Sequence, residues 1–246
     1  MSQFASRQYP ARSAWIAERP IAHRGLHDRA AGVLENTLTA ARRAAERGFA
    51  IEVDLHPASD GTPIVFHDDT LDRLTTQKGN VREHSAAELA QYRIGGTGDT
   101  IPSLRQLLET VQGRVGLVLE LKGAEGPGDE NHPHPESFVA AVLADLGSYR
   151  GQVALMSFDP RLVRDARRLP HPWPVGLTAY GDDTTAAMHR AIVRETEGDF
   201  VSYNIGDLPN AFVQEFRNSG RPAISWTVRT PELARKSATY VDQMTF

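Results

Sequence analysis

Ala50-Ile51-Glu52-Val53-Asp54-Leu55 places carboxylates and apolar side chains at alternate positions. Successive side chains of a strand point to opposite faces, so Glu52 and Asp54 share one face while Ile51, Val53 and Leu55 can pack on helices at the other. Charges on a buried strand are costly when unpaired. A parallel barrel tolerates them at its C-terminal mouth, where active sites sit. The arrangement returns at Leu119-Glu120-Leu121-Lys122, and two further apolar runs end in His23-Arg24-Gly25 and His67-Asp68. Apart from Asp68, the four pieces offer three carboxylates, two imidazoles and two fixed cations.

Outward from these pieces, helical and strand-like segments alternate, the pattern of a parallel sheet wrapped by helices. Strands are expected at 20–23, 50–55, 63–67, 115–121, 153–157, 175–179, 200–204 and 223–228. A ninth stretch, 240–246, competes for one of eight barrel places and leaves the closure open. Helices are expected after Asn36-Thr37 (Leu38, Ala41 and Ala45 on one face, Gly48 as the stop) and from Ser103, where Leu104, Leu107, Leu108 and Val111 recur at helical spacing. Asp159-Pro160 and Thr230-Pro231 read as N-caps followed by a first-turn proline, and Asn210 to Arg217 as a further helix ended by Gly220.

Between Leu55 and Pro63 there is no room for a crossover helix, which needs about a dozen residues. Asp60-Gly61 marks a turn there. A hairpin and an extended crossing both fit; the crossing is preferred because it leaves Asp54 and His67 at one mouth. Residues 69–102, with a short helix at 83–92 and Gly95-Gly96-Thr97-Gly98, read as an insertion after the third strand. The segment 123–136 is rich in Gly, Pro, His and acid and reads as a mobile loop. With no repeat and no linker between two cores, the expectation is one domain over 1–246, a distorted α/β barrel of the TIM-type (β/α)8 class.

The chain has 246 residues, 40% of them hydrophobic, enough for a sizeable core in one such domain. Lys+Arg 27 against Asp+Glu 31 gives a net charge of -4, which argues against nucleic acid or an anionic membrane as the main partner. The absence of cysteine removes disulfides and thiolate metal sites. Residues 1–20 are polar, carry Arg7, Arg12 and Arg19, and lack the apolar core of a secretory signal. No window approaches the ~20 apolar residues of a membrane span. A cytoplasmic protein without stable membrane insertion is the expectation. Oligomeric state is left open, with a homodimer among the options.

Three carboxylates without cysteine suit a hard cation such as Mg²⁺ or Ca²⁺. The bland alternative is a polar network in which Glu52, Asp54 and Glu120 merely pair with Arg24 and Lys122. Two histidines at strand ends beside carboxylates can serve as general base and general acid, because imidazole titrates near neutrality. Each alone would pass for an ordinary rim residue. Arg24 can grip two phosphate oxygens at once, whereas Lys122 acts as a point charge.

Read together, these segments resemble the glycerophosphodiester phosphodiesterase family. The resemblance runs from about Ile21 to the C-terminus. It is densest at Ile21-Ala22-His23-Arg24-Gly25, Glu35-Asn36-Thr37, Glu52-Val53-Asp54, Asp60-Gly61 and His67-Asp68-Asp69-Thr70-Leu71-Asp72-Arg73. Later matches are Ile101-Pro102-Ser103-Leu104, Leu119-Glu120-Leu121-Lys122, Ser157-Phe158-Asp159 and Trp226-Thr227-Val228.

The resemblance implies an eight-stranded barrel and metal-dependent hydrolysis of a glycerophosphodiester to an alcohol and glycerol 3-phosphate. It implies one divalent cation, Mg²⁺ or Ca²⁺ with Mn²⁺ as an alternative, on Glu52, Asp54 and Glu120. His23 and His67 would form the acid–base pair, Arg24 and Lys122 would contact phosphate, and Glu35 would be a supporting acid at the mouth. Trp226 would wall the glycerol or the leaving group, and 69–102 would match the family's small cap. Competing readings are a phospholipase D-like barrel lyase that forms a cyclic phosphate, and a noncatalytic phosphate-binding barrel.

Two features depart from the family pattern. The family often ends its last barrel segment with Asp-x-Pro, where this chain reads Val241-Asp242-Gln243, and that bears on closure. The segment after Lys122 is long and acidic, with His132 and His134; a solvated loop is favoured there over a second metal site.

Overall fold

The computed structural model describes residues 8–123 and 136–246. Its centre is strand β2 (Ala50–Pro57), buried along its whole length between β1 (Ile21–Ala22) and β4 (Leu117–Leu121). Both pairings are parallel, and Asp54 lies directly beside Glu120 in the second. The ladder continues in parallel through β5 (Val153–Ser157), β6 (Val175–Ala179), β7 (Phe200–Asn204), β8 (Ala223–Trp226) and β9 (Gln243–Met244). A parallel bridge between Ile21 and Thr245 returns the sheet to β1, supported by Phe246 N–H donating to the Ile21 carbonyl (2.9 Å) and His23 N–H to the Phe246 carbonyl (2.8 Å). The ring thus has eight parallel strands, as expected, and closes without Asp-x-Pro.

The connection after β2 differs from the expected crossing. β3 (Pro63–Val65) pairs antiparallel with the end of β2, Leu55 against Val65 and Pro57 against Pro63. It is the returning arm of a hairpin turned at Asp60-Gly61, where Gly61 has φ +81. The hairpin, like the expected crossing, leaves Asp54 and His67 at one mouth. β2 overshoots the mouth, and β3 doubles back until Phe66 N–H donates to the Asp54 carbonyl at 3.0 Å. Of the nine candidate strands, 63–67 is therefore the one outside the barrel, and 240–246 supplies the last barrel strand.

Helices pack their apolar faces on the outside of the ring. α1 (Leu38–Glu46) starts where the Thr37 hydroxyl accepts from Ala40 N–H, and buries Ala40, Ala41, Ala44 and Ala45. The short α2 (Ala86–Leu89) is a single turn boxed by Ser85 and Glu88, preceded by a 3₁₀ turn at Val81–Glu83; they replace the longer helix expected over 83–92. α3 (Leu104–Val111) has the Ser103–Gln106 capping box and buries Leu104, Leu107, Leu108 and Val111. Each such leucine contributes about 1.5–3 kcal/mol by leaving water. α5 (Pro160–Arg168), α7 (Ala211–Asn218) and α8 (Pro231–Tyr240) begin at the caps Asp159, Asn210 and Thr230. α4 (Glu136–Leu146) and α6 (Ala186–Thr196) complete the shell, and no described helix is long and apolar enough to cross a membrane.

Two satellite cores flank the barrel. Ile64, Phe66, Leu71, Val81, Leu89 and Ile94 form a buried cluster that ties the hairpin to the residues following it. At the N-terminal ends of the strands, a 3₁₀ turn (Ala14–Ala17) lays Trp15 and Ile16 against Ile21, Val118, Phe200 and Ile224. A Cβ on Gly116 would fall 2.2 Å from the Trp15 ring, so the indole sits flush against β4's entry. Of the segment 123–136 expected as a loop, residues 124–135, with His132 and His134, lie outside the described residues, and Glu136 opens α4.

Candidate active site

The strand period of β2 puts Glu52 and Asp54 on the inner face, and the β2–β4 register sets Glu120 next to Asp54. One carboxylate oxygen from each of the three lies within 4.8 Å of the others, and all three residues are buried. Arg24 adopts φ 56, and this turn aims its backbone N–H at Glu52 Oε2, 2.9 Å away. The Asn36 amide holds Asp54 Oδ2 at 2.8 Å. Lys122 Nζ stands 2.8 Å from Glu120 Oε1 and 3.5 Å from Asp54 Oδ1. Arg24 Nε is 3.5 Å from Asp54 Oδ2.

These neighbours divide the three acids. Burial pushes Asp54 upward, but Lys122, His67 and Arg24 outweigh it and hold the carboxyl below its ordinary range. Burial, then the charges of Asp54 and Glu120, drive Glu52 well above the usual carboxylate range. Glu120 is raised by burial against the opposing pull of Lys122. Glu52 Oε1 is buried with no hydrogen-bond partner among the described residues. Crowded acids, all-oxygen donors and one unpartnered inward oxygen fit a hard divalent cation held by Glu52, Asp54 and Glu120.

Both expected histidines reach this mouth. His23 follows β1, its Nε2 3.9 Å from Glu52 Oε2; burial, then Arg24, lowers its pKa to about 3, so the ring is neutral at pH 7. His67 follows β3, and its Nδ1 lies 2.7 Å from Asp68 Oδ1. A carboxylate only accepts, so Nδ1 carries the proton and Nε2 is the atom left to exchange one. His67 acts electrostatically on His23, Asp54 and Glu120 alike.

Arg24 and Lys122 are gathered here too, with Glu35 as their link to the rim. Arg24 Nη1 donates to Glu35 Oε1 at 2.6 Å, and Arg73 bridges Glu35 (2.7 and 3.0 Å) to Asp68 (2.6 and 2.9 Å). Burial opposes ionisation of both acids, yet the Arg73 hydrogen bonds, with Arg24 at Glu35 and His67 at Asp68, bring each to about 2. Trp226 stands at the end of β8, edge-on to Phe158 with ring centroids 5.3 Å apart, and Phe158 faces Tyr180 at 6.1 Å. One side of the mouth is thus charged and the other aromatic.

Several participants went unassigned at the sequence level. Asn36 marks the start of an expected helix, and Asp68 and Arg73 stand only within the matched motif. His56 was passed over. Burial lowers its pKa to about 3, and it lies two residues past Asp54, where the alternation 52-54-56 already pointed.

Known proteins resemble this chain over most of its length. The model of the glycerophosphoryl diester phosphodiesterase family matches residues 23–245. Human glycerophosphodiester phosphodiesterase 1 is 34% identical over 247 aligned positions, covering 85% of this chain and 71% of that protein. A glycerophosphodiester phosphodiesterase of Caldanaerobacter subterraneus is 28% identical, covering 86% of each chain. Among solved structures, an Oleispira antarctica phosphodiesterase in complex with the product sn-glycerol-3-phosphate superposes with a TM-score of 0.79 at 25% identity, over 92% of both chains.

Proposed function

The chain belongs to the glycerophosphoryl diester phosphodiesterase family, and from that premise we propose that it hydrolyses a glycerophosphodiester to an alcohol and glycerol 3-phosphate through His23 and His67. The observation that supports this reading is the meeting, at one mouth, of three clustered carboxylates with an imidazole already oriented by its own carboxylate. Glu52, Asp54 and Glu120 would hold a divalent cation, Mg²⁺ or Ca²⁺ with Mn²⁺ as an alternative, which would supply positive charge for the phosphoryl oxygens. Arg24 and Lys122 add fixed charge where negative charge builds during transfer. Arg24 is braced by Glu35 and its own backbone, so little motion is needed when substrate arrives.

One histidine takes a proton from the attacking water, or from the substrate's own 2-hydroxyl with water then opening the cyclic phosphate, and the other returns one to the departing alkoxide. His67 Nε2 is suited to either task because Asp68 fixes the ring through Nδ1. His23, neutral and close to Glu52, holds a lone pair at pH 7. Trp226 and Phe158 offer an apolar wall to one arm of the diester.

The test offers glycerophosphocholine, glycerophosphoethanolamine and glycerophosphoglycerol with Mg²⁺, Ca²⁺ or Mn²⁺, and couples turnover to glycerol 3-phosphate detection. His23→Ala and His67→Ala are each expected to lose about 10²–10⁴ in kcat with the fold intact. A chelator removes activity and added cation restores it. Full activity in excess chelator, or histidine variants as fast as the parent, overturns the reading. A persistent cyclic phosphate seen by phosphorus NMR favours the lyase instead.

A further inference from the structure

His56 is completely enclosed, yet both of its ring nitrogens are engaged. Nε2 lies 3.0 Å from the His67 carbonyl, which can only accept, so Nε2 bears the proton. Nδ1 faces the Arg82 guanidinium, 3.3 Å from Nε and 3.2 Å from Nη2, which can only donate, so Nδ1 holds the lone pair. The ring is fixed as one neutral tautomer. Arg82 comes from the 3₁₀ turn Val81–Glu83, and its Nη2 also stands 3.4 Å from the Lys122 carbonyl.

The carbonyl that His56 grips belongs to the peptide joining His67 to Asp68. β3 ends at Val65, and the last backbone tie to β2 is Phe66 N–H on Asp54. The orientation of the next peptide but one decides how Asp68 Oδ1 meets His67 Nδ1. We propose that His56, oriented by Arg82, is a positioning residue for the His67–Asp68 pair, fixing the peptide between them and so the direction in which His67 Nε2 faces the mouth. This rests on the acid–base role given above to His67.

Two variants separate the halves of the contact. His56→Gln can present an amide N–H to the His67 carbonyl. His56→Asn can accept from Arg82 but is too short to reach that carbonyl. His56→Asn is expected to lose about 10–100-fold in kcat, as loss of a supporting hydrogen bond typically does, with KM little changed, and His56→Gln to restore most of the rate. A second readout needs no turnover. The His67 Nδ1–H proton resonance, assigned by its loss in His67→Ala, should persist in His56→Gln and broaden or shift in His56→Asn.

Wild-type kcat in His56→Asn, or a lowered kcat with the His67 resonance unmoved, overturns the inference. A purely structural His56 would lower the melting temperature of both variants and leave that resonance in place. Should the wild type turn over no glycerophosphodiester while the resonance still depends on His56, the catalytic reading falls and the positioning stands.

Discussion

Gly25 shows how little freedom one residue has beside this site. Its φ is +80, and a Cβ there would lie 2.8 Å from Ala40 Cβ and 2.9 Å from the Ala40 carbonyl carbon, with helix backbone that cannot retreat. Gly25→Ala thus combines left-handed strain of about 1–2 kcal/mol with a clash against α1. The expected result is a lower urea midpoint with an unchanged m-value, since the native and unfolded surfaces are the same. Other residues beside Gly25 were legible to different degrees. Glu52, Asp54 and Glu120 stood out because a two-residue period needs only local sequence. Asn36 did not, because its grip on Asp54 spans 18 positions and depends on a φ of 55 that aims its amide back at β2. His56 lay within the same period, but a histidine before a proline at a strand end reads as the start of a turn.

At the scale of elements, the hairpin and the residues after it form a rim fastened by arginines. Arg73 joins Glu35, from the loop before α1, to Asp68, from the loop after β3. Glu35 falls from an ordinary 4.5, and Asp68 from 3.8, to about 2 each. Depressed acids stabilise the fold while ionised, so their contribution is full above the ordinary values and is lost as pH drops toward 2. Arg73→Ala should therefore be less stable than the parent at pH 7, and the gap should narrow between about pH 4.5 and 2 in urea titrations. Arg73 is 45% exposed at its side chain, so solvent screens part of the effect and added salt should reduce it. The helices that could be read had caps: Thr37, Ser103, Asp159, Asn210 and Thr230 each accept a hydrogen bond where the sequence suggested a start. β3 lies where a strand is expected but pairs antiparallel, because an apolar run reveals burial and not partner direction. Ile64 and Val65 are buried as the pattern requires, but Ile64 packs in the rim cluster.

For the molecule as a whole, the decisive pairing joins residues 21 and 245, almost the full length of the chain. Local patterning cannot show it, which is why the ninth strand stayed ambiguous while the barrel class did not. Asp242 anchors that seam from within: it is buried, accepts from Ala223 N–H at 2.9 Å, and pairs with Arg217 at 2.8 Å. Removing one member of a buried ion pair costs about 3–5 kcal/mol. Asp242→Ala should lose that much in equilibrium denaturation, and turnover should fall with it, because His23 hangs from the strand that the seam secures. The opposite end of the ring has its own consequence. With Trp15 and Ile16 stoppering the lower opening, the barrel is a cul-de-sac. Among the described residues that leaves the opposite mouth as the way in and out, so a product of the proposed hydrolysis that lingers there would bar the next arrival.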